Sequence, residues 1–318
     1  MMKILQAGVE KSGNYWLFNI IKELLLLEGI DSLNGNSAKL GIGDRYKEAK
    51  LSYKDQHYID TVETQFGKLY QMISSVYSEE IKDEVSFAEN TNYVWTHSGF
   101  DDKIKLLSQH MTHTVYLVRD PRDVAISKSK FAFKSYSLDK RWNNPGKSPE
   151  DYLKNRFERI MIKWANHVKG YSKVPNVHFI FFENLFLDFQ GEVKRLADYL
   201  GIAISEGQLA VIEQNVSADN LRKKDPDHVR KGKIGNWKNY KDKEIIDKMT
   251  KLNNGGLVAI GYPIKRDDEF KVLLYKDKAT IPQPHLSIFK LFMIGIKTSK
   301  SFKEFFSRVF SFFITGKF

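Results

Sequence analysis

Three short stretches of the chain place positively charged side chains beside glycine or a small hydroxyl residue. Arginine and lysine donate hydrogen bonds to phosphate-like anions, and glycine lets a ligand approach the backbone N–H groups closely. Each stretch is therefore predicted to bind an anionic group. The three are Lys11–Ser12–Gly13, Arg119 with Ser127, and Arg230–Lys231–Gly232.

The first stretch follows the apolar run of residues 4–9 and precedes a helix-like apolar pattern. A strand that turns tightly into a helix exposes unpaired N–H groups and the positive end of the helix dipole. The phosphate loop of nucleoside triphosphatases has a glycine directly before its lysine, and here that residue is Glu10. The stretch predicts an anion loop of another kind. Taken alone, it also fits an ordinary turn with a solvated lysine.

The other two stretches also have simple alternatives when each is taken alone. Arg119 ends the apolar run of residues 114–118, and Pro121 fits the first turn of a helix. Ligands of open α/β sheets bind at the carboxyl ends of strands, but a surface Arg–Asp pair gives the same residues. Residues 230–240 are glycine-rich and basic, which favours an anion loop or a solvated basic loop.

Short apolar runs alternate with helical patterns along the chain, which predicts an α/β fold with a parallel sheet flanked by helices. Segment 34–90 is polar with helical periodicity around Tyr58–Tyr77, and we predict an insertion that caps the sheet edge. Segment 217–239 is predicted to be a basic loop. The predicted strands are 3–9, 92–97, 113–119 and 176–182. The predicted helices are 14–28, 101–110, 121–132, 150–172, 188–200 and 203–216.

Composition excludes several classes of site. The chain of 318 residues contains no cysteine, so it has no disulfide, thiolate metal site or cysteine nucleophile. A cytoplasmic enzyme is expected, because the first strand starts at Lys3 and leaves no room for a signal peptide. His110 and His113 have metal-like spacing but lack a third ligand, so no metal site is predicted.

The positive charge is concentrated at the carboxyl end. Residues 271–318 hold nine Lys or Arg against Asp277 and Glu304, a net +7, which leaves +4 of the total +11 for residues 1–270. The small excess on 1–270 disfavours a nucleic-acid partner. We predict a domain at 1–270 and a basic, aromatic-rich helical tail at 271–318. The tail either packs on the domain or, as we favour, lies on the inner membrane surface.

The three stretches together, K-S-G-x-x-W, R-D-P-R-D-x-x-x-S and R-K-G-x-x-G-x-W-K-N, resemble the sulfotransferase family that uses 3′-phosphoadenosine 5′-phosphosulfate (PAPS). The resemblance covers residues 3–240, about three-quarters of the chain. It implies a P-loop-like three-layer fold, PAPS as the sulfuryl donor and no metal. The acceptor would be a small molecule, lipid or glycan, and we expect it near Phe131–Trp142 and segment 34–90.

The resemblance also implies roles for individual residues. Arg119 and Ser127 would bind the 3′-phosphate, and Phe182 and Ser217 would line the adenine pocket. The chain departs from the family pattern at five positions. The family usually has threonines in place of Asn14 and Tyr15, lysine in place of Trp95, tyrosine in place of Phe182 and phenylalanine in place of Ala218. The 5′-phosphosulfate loop would be Lys11, Ser12, Gly13, Asn14, Tyr15 and Trp16, with Trp16 stacking on adenine. The loop that closes over the 3′-phosphate would be Arg230, Lys231 and Gly232.

For catalysis, the resemblance implies that His97 is the general base. His97 ends the predicted strand 92–97, 22 residues before Arg119, and an ordinary histidine can accept a proton at physiological pH. Lys11 would stabilise the charge that develops on the bridging oxygen. Glu10 is the alternative base.

Two other functions stay open at this point. A P-loop-type nucleotide kinase would need an acidic residue for magnesium, for which Asp120 is the available candidate, and it would prefer magnesium–ATP to PAPS. A non-catalytic, basic membrane-binding protein would depend on the tail and not on Arg119 or Lys11. Binding measurements with these nucleotides and with a truncated chain would distinguish the three.

Overall fold

The computed structural model describes residues 2–33, 35–41, 54–74, 78–134, 146–226 and 232–273. Its centre is a seven-stranded sheet in the order β4-β3-β2-β5-β1-β6-β7. The strands are β1 Ile4–Gly8, β2 Asp60–Gln65, β3 Lys68–Met72, β4 Ser78–Glu80, β5 Tyr93–Thr96, β6 His113–Val118 and β7 Val177–Phe181. Strands β2, β5, β1, β6 and β7 are parallel, which confirms the predicted α/β fold and its four predicted strands.

Helices cover both faces of the sheet, and the six predicted helices are all present. A 3-10 turn at Lys54–Tyr58 precedes β2. The α-helices are α1 Asn14–Leu27, α2 Asn36–Lys39, α3 Glu84–Glu89, α4 Asp102–Gln109, α5 Pro121–Phe131, α6 Pro149–Tyr171, α7 Asn184–Leu187, α8 Phe189–Leu200, α9 Glu206–Asn215, α10 Ala218–Lys224 and α11 Lys243–Ile260.

Two sequence predictions are wrong. Residues 60–72, within the segment around Tyr58–Tyr77, are not helical: β2 and β3 form a hairpin whose turn residues, Phe66 and Gly67, have φ of 51° and 75°. Positive φ at both turn positions matches the twist of the strands, so the segment extends the sheet edge as strands. The basic segment 217–239 contains a helix, α10, because Ser217 caps it by accepting a hydrogen bond from the Asn220 N–H.

The alternation of side chains along the strands builds two hydrophobic clusters, one on each face of the sheet. In β1, every residue is buried, and Ile4 belongs to one cluster while Leu5 belongs to the other. Helices α5, α6 and α11 complete the Leu5 cluster, and α1 and α8 complete the Ile4 cluster. Burial on both faces is typical of parallel strands, and it fixes the loops at their carboxyl ends.

The described chain ends against the core. Asn184 Oδ1 accepts a hydrogen bond from the Leu273 N–H at 2.8 Å, and Asn184 Nδ2 donates to the Leu273 carbonyl at 2.9 Å. Nearly all of the predicted tail, residues 274–318, lies outside the described residues. Within the described part, no helix combines the length and apolarity needed to cross a membrane.

Candidate functional site

The loop between β1 and α1 has the backbone of an anion cradle. Gly13 is the N-cap of α1 with φ 105° and has no side chain to bond the first N–H groups of the helix. A Cβ at Gly13 would lie 2.4 Å from the Phe182 ring, so only glycine fits. Asn14 Nδ2 donates to the Val9 carbonyl at 2.9 Å. The Ser12 hydroxyl is buried and has no hydrogen-bond partner among the described residues.

Arg119, at the carboxyl end of β6, joins two of the three predicted loops. Its Nη1 donates to the Lys11 carbonyl at 3.1 Å and its Nη2 to the Lys233 carbonyl at 3.0 Å. Its buried Nε has no hydrogen-bond partner among the described residues. Ser127 is also buried, two turns into α5. Gly232 adjoins the Lys233 contact, whereas Arg230 and Lys231 lie outside the described residues.

Four aromatic rings gather beside this loop. The Trp16 ring centroid lies 5.6 Å from that of Phe182, 5.2 Å from that of Phe186 and 6.1 Å from that of Phe189. Phe182 also lies 4.0 Å from the Arg119 guanidinium carbon. The side chains of Phe182 and Trp16, both predicted to contact adenine, therefore lie together, and Phe186 is a further ring, 41% exposed, that the sequence analysis did not identify.

Two residues predicted to contact PAPS, Tyr15 and Ser217, form hydrogen bonds within the described part of the protein. Tyr15 is buried, and its hydroxyl donates to the Asp225 carboxylate, which connects α1 to the end of α10. Burial and that hydrogen bond raise the pKa of Tyr15 well above its ordinary value. The Ser217 hydroxyl accepts from the Asn220 N–H at 3.4 Å as the cap of α10. The backbone of Tyr15 still belongs to the first turn of α1.

His97 follows β5 at the same sheet edge. Its Nδ1 lies 2.8 Å from the Gly8 carbonyl, and since a carbonyl only accepts, Nδ1 carries the proton and Nε2 the lone pair. Burial lowers the pKa of His97, although the charges of Glu10 and Glu63 partly offset that effect. His97 is therefore neutral at pH 7. Its carbonyl in turn lies 3.2 Å from His167 Nε2.

The side chain of Lys11 contacts α5, and that of Glu10 contacts both α5 and α6. Lys11 has φ 72°, which is uncommon for a residue with a side chain, and its Nζ is 3.8 Å from the Phe131 ring centroid. Glu10 binds Lys163 Nζ at 2.7 Å and Lys128 Nζ at 3.4 Å. Burial raises the pKa of Glu10, but the charges of these two lysines outweigh that effect and hold the pKa well below its ordinary range. An anion stabilised in this way is a weak base, which favours His97 for that role.

A comparison with known families identifies the family of the chain. A family model described as the sulfotransferase domain matches residues 2–258. The chain belongs to the sulfotransferase family.

Among curated sulfotransferases, mouse sulfotransferase 2A1 is 28% identical over 46% of this chain and 54% of its own length. Rat sulfotransferase 2A2 is 24% identical over 57% of this chain and 70% of that protein. Human sulfotransferase 6B1 is 23% identical over 74% of this chain and 70% of that protein. The matched part of the chain thus spans about half to three-quarters of the length of these relatives.

Two solved structures share the fold. Mouse sulfotransferase SULT7A1 complexed with PAP has a TM-score of 0.53 and 18% identity, over 80% of this chain and 82% of that chain. Retinol dehydratase in a complex with retinol and PAP has a TM-score of 0.51 and 19% identity, over 78% of this chain and 79% of that chain.

The second arginine of R-D-P-R-D stabilises the sulfotransferase core. Arg122 Nη2 binds Asp120 Oδ2 at 2.6 Å, both side chains are fully buried, and the Trp237 ring lies 3.5 Å from the guanidinium carbon. The backbone N–H of Trp237 donates to Asp123 Oδ1 at 3.0 Å. Asp120 is thereby engaged, so the kinase alternative lacks its magnesium ligand. No group of three or more His, Cys, Asp or Glu side chains suited to a metal occurs in the described part of the chain.

Glu183 is a second residue that the sequence reasoning missed. Its carboxyl group is fully buried at the end of β7, where it accepts from the Asp120 N–H at 3.0 Å and from the Tyr262 hydroxyl at 2.9 Å. Burial raises the pKa of Glu183 to about 8. The available signal was an acidic residue directly after the apolar run of residues 177–182.

Proposed function

We propose that the protein transfers the sulfuryl group of PAPS to a hydroxyl or amine of a small-molecule, lipid or glycan acceptor. The observation that carries the proposal is Arg119, which bonds the carbonyls of Lys11 and Lys233 and so stands between two loops. Its buried Nε makes no hydrogen bond to the described residues and so has one to donate. A nucleotide with phosphates at both ends needs such separate cationic contacts on different loops.

The donor would lie along the carboxyl edge of the sheet. Residues 11–16 would hold the 5′-phosphosulfate through backbone N–H groups, the Ser12 hydroxyl and the Lys11 ammonium. Arg119 and Ser127, with Arg230, Lys231 and Gly232, would hold the 3′-phosphate. The adenine would stack against Trp16 and Phe182, with Phe186 at the rim and Ser217 nearby.

The chemistry on the acceptor side would rest on His97. The Gly8 carbonyl fixes its Nδ1 proton, which leaves Nε2 to take the proton of the acceptor hydroxyl. Lys11 would stabilise the negative charge that develops on the bridging oxygen as the S–O bond breaks. Both residues sit on short loops after buried strands, so their positions are fixed before the substrates bind.

The test is sulfuryl transfer from radiolabelled PAPS to a panel of phenols, alcohols, amines and sugars. His97→Ala should abolish transfer, because the base contacts the acceptor. It should leave the calorimetric affinity for PAP (adenosine 3′,5′-bisphosphate, the product of PAPS) within about twofold of the wild type. Lys11→Ala should weaken both. His113→Ala is the matched control, since His113 begins β6 at the opposite edge of the sheet. Full turnover of His97→Ala on an accepted substrate would overturn the assignment of the base.

The tail and location of the protein belong to the same proposal. We infer that residues 274–318 bind an anionic membrane surface from the cytoplasmic side, since their basic and aromatic residues recur at helical spacing. This arrangement would bring the active site close to a lipid or lipid-linked acceptor.

A further inference from the structure

A cluster of three charged side chains lies at the carboxyl edge of the sheet. It consists of Glu10 after β1, Lys128 on α5 and Lys163 on α6. The Lys163 Nζ–Glu10 Oε1 distance is 2.7 Å and the Lys128 Nζ–Glu10 Oε2 distance is 3.4 Å. The three side chains are 41%, 27% and 30% exposed, in the order Lys163, Lys128, Glu10. A ligand can therefore reach them.

The cluster adjoins His97 through two short connections. His97 Nδ1 contacts the carbonyl of Gly8, only two residues before Glu10. The His97 carbonyl contacts His167 Nε2, and His167 is one helical turn after Lys163 on α6, on the same face of the helix. An acceptor with its hydroxyl at His97 would thus extend toward the two lysines.

The cluster has more positive than negative charge. Two ammonium groups share one carboxylate, for a formal charge of +1, and each ammonium has three N–H donors. Burial lowers the pKa of Lys128, and the positive charges of Lys163 and Arg159 lower it further, against the attraction of Glu10. Lys163 is better compensated, because the charges of both Glu10 and Glu63 raise its pKa against the effect of burial. The cluster would gain from a second anion near Lys128.

We propose that Lys128 and Lys163 bind a carboxylate of the acceptor, so that the protein sulfates hydroxylated carboxylic acids, such as sugar acids or hydroxy-aromatic acids. The Glu10 carboxylate contacts both ammonium groups, so a carboxylate fits between them. The proposal rests on sulfuryl transfer with His97 as the base. Glu10 then competes with the acceptor carboxylate and limits how tightly it binds.

The experiment compares acceptor pairs that differ by one carboxylate: galacturonate with galactose, and 4-hydroxybenzoate with 4-hydroxybenzyl alcohol. Dissociation constants are measured with the PAP-saturated protein, and kcat/KM is measured with radiolabelled PAPS. We expect the acid of each pair to be favoured by about tenfold or more, as for a hydrogen bond to a charged group. Lys128→Gln and Lys163→Gln should lower this preference about tenfold, and Glu10→Gln should raise it.

Lys154→Gln is the matched control. Lys154 lies on α6 nine residues before Lys163, which is half a rotation around the helix, and it is 64% exposed beside Asp242. It should leave the acid preference unchanged. Equal affinity for the two members of both pairs, or the same preference in the wild type and in Lys128→Gln, would overturn the proposal. If the wild type does not bind PAP, the result would instead contradict the proposed function.

Discussion

Glu183 offers a quantitative test of the electrostatics around Arg119. The pKa of this carboxyl is raised to about 8 from an ordinary 4.5, with burial as the largest cause. The Asp120 N–H lowers it, the Asp120 charge raises it, and the Arg119 charge lowers it. The Tyr262 hydroxyl donates a hydrogen bond to the same carboxyl group. The substitution Glu183→Gln keeps the size and shape of the protonated acid but cannot ionise.

The sign of the pH dependence follows from the two protonation states. Between pH 4.5 and about 8 the unfolded chain has released the Glu183 proton, while the folded chain has kept it, so stability falls as pH rises. The slope is roughly 1.4 kcal/mol per pH unit. Relative to Glu183→Gln, the wild type should lose roughly 4 kcal/mol of unfolding free energy between pH 5 and pH 8.

Urea unfolding followed by tryptophan fluorescence at pH 5, 6, 7 and 8 measures this difference. Glu206→Gln is the control, because Glu206 is exposed in the first turn of α9, and its curves should parallel the wild type. If Glu183→Gln also parallels the wild type at every pH, Glu183 ionises normally in the folded chain and the reasoning about its burial is refuted.

Three further predictions concern the loop, the base and the tail. Gly13→Ala should reduce PAP affinity at least tenfold, because the new Cβ would meet the Phe182 ring at 2.4 Å, whereas Gly29→Ala, at φ 68° with no atom within 4 Å of its Cβ, should bind PAP normally in calorimetry. The lowered pKa of His97 predicts that kcat/KM does not change near pH 7 and falls with a midpoint below pH 6.5 as His97 is protonated; a midpoint at or above pH 6.5 would contradict this. Sedimentation with anionic liposomes should decrease when residues 274–318 are removed or salt is raised, and a full-length chain that stays in the supernatant at low salt would contradict the membrane role.

The sheet centre was predictable because its strands are buried on both faces. Such strands appear in the sequence as continuous apolar runs, as in β1 and β6, and each run ends at a candidate site residue. The edge hairpin was not predictable from periodicity, because polar residues occupy buried positions in its strands, Asp60 in β2 and Gln71 in β3, and break the apolar–polar alternation. Their turn, Phe66–Gly67, lacks the usual asparagine or aspartate before glycine.

The site was predictable where a motif has a direct chemical reason. Lys11, His97 and Arg119 all lie at the carboxyl edge of the sheet. The roles of other residues depend on tertiary contacts that the sequence does not show. Arg122 has the same charge as Arg119 but is buried against Asp120, and no local sequence pattern distinguishes the two arginines. Glu10 was considered as a base, and only its two lysine partners reveal it as a stabilised anion.

The most direct test of the central claim is a calorimetric comparison of PAP with adenosine 5′-phosphate, without magnesium, on the wild type and Arg119→Ala. We predict that the wild type binds PAP at least tenfold more tightly than adenosine 5′-phosphate, as expected for charge-assisted hydrogen bonds to the 3′-phosphate. Arg119→Ala should lose most of that preference. Equal affinity of the wild type for the two nucleotides would contradict the assignment of Arg119 and the donor itself.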